Sequence, residues 1–376
     1  DSVLWNLCSH YAWSRRNALG WKWFDDIDKS NWSSEQISAL LRCLPFTGEA
    51  WQRVEENLQE KQNEFWLKTE GNAYQTDEGD DLEYVIEKLL AYDRPYSAIQ
   101  CFSKIFYDKK PINFSLCCKT LLAAVSTKEP MHQIDDYIIG ELIKVLQENT
   151  EEDQEALFQV EWAYMSILDE FGHASPKLLE ARLANDPDFF CMLIQAIYRS
   201  RNDDAKVVEP TEESKRIATN AYNLLHSWKR VPGIQDDGSL DGEWFSNWLL
   251  QVIKTTTESG HNDVAFIQLG EVLINSPADP SGLWIHHSVA TALNGRLNDS
   301  LRDGYKTGCF NSRGAHVVDI TGEAERVIAL KYRNKAETVE NEGFQRFAVS
   351  LRELAERYER EADRNIADFD MEVTES

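Results

Sequence analysis

Apolar residues recur along this chain at intervals of three and four, in runs of roughly twelve to eighteen residues, and no alternating β pattern persists beyond a few positions. Leu82, Val85, Ile86, Leu89 and Leu90 fall at i, i+3, i+4, i+7 and i+8. Pro95 then opens a second run that places Ala98, Ile99, Phe102, Ile105 and Phe106 on one side. Only a few residues separate the two runs, which makes them antiparallel neighbours. Each helix has an apolar stripe to hide, and hairpins stacked in a row hide their stripes against one another. The chain is therefore expected to be all-α, a solenoid of antiparallel helical hairpins.

The 376 residues suffice for two domains or one extended solenoid, and 42% hydrophobic content is ample for a core. Lys and Arg number 39 against 64 Asp and Glu, a net charge of −25 that disfavours a nucleic-acid backbone or an anionic membrane as partner. A protein with a basic face is favoured. No stretch approaches the roughly eighteen apolar residues of a membrane span, and no basic-then-apolar leader opens the chain, so a cytoplasmic location is expected. The cysteines Cys8, Cys43, Cys101, Cys117, Cys118, Cys191 and Cys309 are odd in number and mostly set in apolar helical runs, as reduced core residues are. The chain begins at Asp1 and enters an amphipathic run at once. It is expected to be a piece of a longer polypeptide, with any catalysis upstream.

Three regions are suggested: an aromatic-rich helical part (1–70), helical-hairpin repeats (71–202) and a carboxyl-terminal helical domain (211–376). In the first, Trp5, Trp13, Trp21, Trp23, Trp32, Trp51 and Trp66 concentrate most of the indoles, as a dense local core would. Ser33 and Ser34 followed by Glu35 and Gln36 start a helix with Ile37, Leu40 and Leu41 on one face. A further helix is expected over 48–66, then a polar break over 71–80. The hairpin at 82–106 has the size of a tetratricopeptide unit without the Trp-Leu-Gly-Tyr spacing of that repeat. More hairpins follow, 114–125 against 137–146 and 155–171 against 186–198. Asp186 caps the last helix and Pro187 suits its first position. The polar stretch 201–209 reads as a domain boundary, and Thr211 caps a helix carrying Ile217, Ala221, Leu224, Leu225 and Trp228. At the carboxyl end Phe344, Phe347, Leu351, Leu354 and Tyr358 step by three and four, predicting one long helix over 342–369. That helix either caps the solenoid or forms a homo-oligomeric coiled coil.

Chemistry-bearing patterns are few. Residues 301–314 are locally basic and glycine-rich within an acidic chain, and Arg302, Lys306, Asn311 and Arg313 are the candidate partner-binding residues. Gly304, Gly308 and Gly314 fit no phosphate-loop spacing, so a helix end closed by glycine competes with an anion-clasping loop. His286 and His287 lie near Asp279 in sequence, but neighbouring helical residues face different ways and no zinc spacing accompanies them. Cys309 with His316 is a conceivable nucleophile and base, without an assignable oxyanion donor. No catalytic residue, metal or cofactor is assigned.

From residue 183 onward, Asp186-Pro187-Asp188-Phe189-Phe190, Leu224-Leu225-His226-Ser227-Trp228, Val231-Pro232-Gly233 and Asn311-Ser312-Arg313-Gly314, with the final Arg- and Glu-rich helix, resemble the carboxyl-terminal helical regions of large bacterial multidomain proteins, among them STAND-type signal-transducing NTPases associated with phage defence. The resemblance covers about half of the chain. It implies TPR- or HEAT-like helical architecture and a sensing role, with the chemistry carried by an upstream domain. The reading is a non-catalytic protein-recognition or sensor module. Two alternatives are an enzyme of hydrolytic or nucleotide chemistry at 304–316 and an acidic decoy of a nucleic-acid-binding surface.

Overall fold

The computed structural model describes residues 2–129, 136–149, 153–168, 174–201, 211–314 and 319–375. Among them the protein is all-helical, and its only β feature is an isolated bridge between Ile234 and Leu240. No helix among the described residues is long and apolar enough to cross a membrane. The chain forms two compact units, 1–178 and 179–376. The polar stretch read as a boundary falls, at 202–210, outside the described residues.

The first unit contains α1 (Ser2–Leu19), α2 (Lys22–Asp25), α3 (Ser34–Arg42), α4 (Gly48–Leu58), α5 (Asn63–Trp66), α6 (Leu82–Ala91), α7 (Pro95–Tyr107), α8 (Phe114–Ala124), α9 (Asp136–Gln147) and α10 (Gln154–Ala163). Helix α11 (Lys177–Asn185) follows. One core extends from Ala12 to Ala174 and takes in the indoles of Trp21, Trp51 and Trp66. Ser33 opens α3 with a reciprocal cap: its Oγ accepts from Gln36 N (3.2 Å) while Gln36 Oε1 accepts from Ser33 N (2.8 Å). The single helix expected over 48–66 is broken, because Gln59 adopts φ 45° and the polar run 59–62 offers nothing apolar to bury. Helices α6 and α7 form the expected hairpin. Asp93 takes the left-handed conformation (φ 54°), Arg94 N donates to Leu89 O (2.8 Å) and Asp93 N to Leu90 O (3.1 Å), a Schellman closure. The same closure ends α7 at Lys109 (φ 55°). Helix α10 stops at Ala163, short of the expected 171, which lies outside the described residues.

The second unit contains α12 (Pro187–Ile197), α13 (Glu212–Ser227), α14 (Gly242–Ser259), α15 (Asn262–Val272), α16 (His287–Asn294), α17 (Asp299–Asn311), α18 (Glu323–Asn341) and α19 (Gln345–Glu375). Asp186 caps α12 by accepting from Asp188 N and Phe189 N, and Thr211 caps α13 through Ser214 N. Phe190 packs against Trp228 and Trp248, joining α12 to α13 and α14. The carboxyl-terminal stripe Phe344, Phe347, Leu351, Leu354 and Tyr358 is buried within the unit. Tyr358 stacks on Tyr332 of α18 and Phe347 meets Tyr305 of α17. The stripe that sequence offers to a coiled-coil partner is thus occupied by the chain's own helices.

Candidate functional site

Residues 301–314 are the body and end of α17, not a glycine-rich loop. Gly304 and Gly308 stand one turn apart on the face that crosses α15. A Cβ built on Gly304 would lie 2.1 Å from Ile267 O, and one on Gly308 would lie 2.9 Å from Glu271 Cα. On the facing helix, a Cβ on Gly270 would lie 2.2 Å from Leu301 O. The two backbones therefore meet without intervening side chains, and the glycines exist for that contact rather than for a phosphate.

The four candidate residues are not brought together. Arg302 is almost fully buried; its Nη1 donates to Leu293 O and Gly295 O, both at 2.7 Å, and its Nη2 pairs with Asp299. It therefore closes the end of α16. Lys306 lies 2.7 Å from Glu353 Oε2 and 3.0 Å from Asp303 Oδ1. Partial burial works against its charge, but these two carboxylates outweigh it and hold its pKa above the lysine norm. Arg313 is 2.6 Å from the fully buried Glu325 and 3.8 Å from Glu361. Asn311 alone of the four is exposed. Beside Lys306, a cleft of about 480 Å³ is lined by Asp303, Glu353 and Glu356 and by Arg357 and Arg360. With three cations facing three carboxylates it has no net sign.

The other sequence candidates are structural. Burial raises the Cys309 thiol, which disfavours a thiolate nucleophile, and His316 lies outside the described residues. All seven cysteines are free, six of them buried. His286 caps α16, its Nδ1 accepting from Ser288 N (3.2 Å), while exposed His287 meets Phe344 edge-on at 5.0 Å. Asp279 accepts from Ser281 N (2.9 Å) and His287 N (2.8 Å), and these backbone bonds lower its pKa to about 2. Among the described residues no group of three or more His, Cys, Asp or Glu is placed to hold a metal ion.

In the first unit a cleft of about 620 Å³ opens beside the start of α7. Its anion-binding position is already filled from within: the nearly buried Glu129 accepts from Arg94 Nε (2.6 Å), Tyr96 N (2.6 Å) and Ser97 Oγ (2.7 Å). Arg94 also donates to Trp66 O (3.0 Å) and Leu67 O (3.1 Å), tying α5 to α7.

The surface that sequence reasoning missed is on α18. One face of this helix, Ala329, Tyr332, Ala336 and Val339, is buried. Another exposes Val327 (62%) and Leu330 (59%) at i and i+3. Trp284 stands beside them, its Nε1 donating to Thr338 Oγ1 (2.9 Å) and Lys335 O (3.3 Å). Lys335 Nζ lies 4.0 Å from the indole centroid. With Lys331, Asn334 and Thr338 these residues line a shallow, mainly apolar groove of about 440 Å³. Two aliphatic residues off the main stripe of a 19-residue helix were the available signal. No family model, no curated protein and no solved structure matches this chain.

Proposed function

We propose that this chain is a non-catalytic protein-recognition module, the helical part of a larger bacterial sensor protein, and that it engages its partner through the α18 face. One observation carries the reading. Val327 and Leu330 are exposed beside an indole whose one N–H is shared between Thr338 Oγ1 and Lys335 O, so an apolar anchor would meet a wall that is already ordered. Covering the exposed part of each side chain would contribute roughly 1–2 kcal/mol before the cost of association. The engagement of Lys306 and Arg313 by the chain's own carboxylates moves the expected contact away from α17.

The test compares wild type with the Val327→Asp/Leu330→Asp variant in affinity capture from cells that encode the protein, quantified by mass spectrometry. Both positions face water, so the melting temperature is expected to stay within a degree or two while at least one captured protein is lost. Identical captured sets from two equally stable proteins would defeat the proposal.

A further inference from the structure

Resting on that reading, we infer that the occupant of the α18 groove is an acidic amphipathic helix of another polypeptide. Local charge selects this occupant. Within this unit the neighbouring cations have carboxylate partners: Arg326 meets Asp363 (3.2 Å), Arg333 meets Glu359 (2.7 Å), and Arg352 pairs with Glu340. Lys331 and Lys335, which rim the groove, have no carboxylate within ion-pair distance among the described residues. They stand at i and i+4 on one helix face, where like charges repel. Partial burial and the charge of Lys331 lower the pKa of Lys335, consistent with a cation lacking an anionic neighbour. A partner supplying two carboxylates one turn apart removes that repulsion. The net charge of −25 does not oppose this, because at physiological salt charges beyond about 8 Å are screened and the contact responds to local sign.

The groove's form selects a helix. From Val327 to Thr338 the floor runs for about 16 Å, three helical turns. Apolar side chains at i, i+3 and i+7 of a facing helix meet Val327, Leu330 and Trp284, while carboxylates on its flank reach Lys331 and Lys335. A second copy is a poor match through its own exposed stripe. Leu4, Leu7 and Tyr11 of α1 are exposed, but that helix carries Arg15 and Arg16 and no carboxylate.

The test uses the full chain and two fluorescein-labelled helical peptides of about five turns. They share one Leu stripe, flanked in one by Glu and in the other by Lys, and binding is read by anisotropy. Wild type is expected to bind the Glu peptide about tenfold more tightly than the Lys peptide, with the difference shrinking at high salt. The Lys331→Glu/Lys335→Glu variant is expected to reverse the preference, a gain of binding that an unfolded variant would not show. Equal binding of both peptides by wild type overturns the acidic assignment. So does concentration-dependent dimerisation that Lys331→Glu abolishes, since the groove would then be covered by a second copy. If neither peptide binds but the Val327→Asp/Leu330→Asp variant still loses a captured protein, the acidic helix falls and the recognition reading stands. If that variant loses nothing either, both fall.

Discussion

Lys109 holds a left-handed backbone (φ 55°) that glycine adopts without cost, and its side chain is exposed. Lys109→Gly is expected to stabilise the protein by about 0.5–1 kcal/mol, read from the urea midpoint. The cations of α17 divide just as sharply. Arg302 satisfies two carbonyls at the end of α16 from a buried position, so Arg302→Ala is expected to cost about 2–3 kcal/mol. Lys306 makes partly solvated ion pairs, and Lys306→Ala should cost less than about 1 kcal/mol. Thermal melts of the two variants side by side check the contrast. Sequence showed these residues as a basic cluster because composition is local. It could not show that Lys306 answers Glu353, 47 positions on, or that Arg302 answers carbonyls that any residue possesses.

Helix α17 gives the clearest case of an element whose role inverts in three dimensions. Ala in place of Gly in an exposed helix gains about 1 kcal/mol. At Gly304 the added methyl would collide with Ile267 O, so Gly304→Ala is expected to lose about 3 kcal/mol. A stabilised variant would mean that the α15–α17 crossing has room for a methyl group at this position. Elements with large apolar stripes were legible from sequence, as α3, α6, α7, α12 and α19 illustrate; α3, α6 and α12 also carry side-chain caps, and α7 opens on Pro95. Helix α18 was not, because its buried face includes the small residues Ala329 and Ala336 while Val327 and Leu330 point outward, which blurs the period. The α18 groove was illegible for the same reason. Its wall, Trp284, is more than forty positions away and meets the helix only in the fold.

For the molecule as a whole, acid is the expected weakness. Asp279 has a pKa of about 2 against an ordinary 3.8 because backbone N–H groups bind its ionised form. A lowered carboxylate stabilises the fold above its unfolded pKa, and that contribution drains away as pH falls from about 4 to about 2. Asp25, Glu55 and Glu359 are lowered in the same direction by arginine, tyrosine or lysine partners. Stability should therefore decline below about pH 4, and Asp279→Asn should flatten the decline by about 1 kcal/mol, allowing for solvent screening. Urea midpoints of both proteins across that range check it. The backbone contact between α15 and α17 has a further consequence. With no side chains between them to act as a cushion, the two rods cannot part by small degrees. Their central amides should take up deuterium only when the entire carboxyl-terminal unit opens, which makes them a gauge of its global opening free energy.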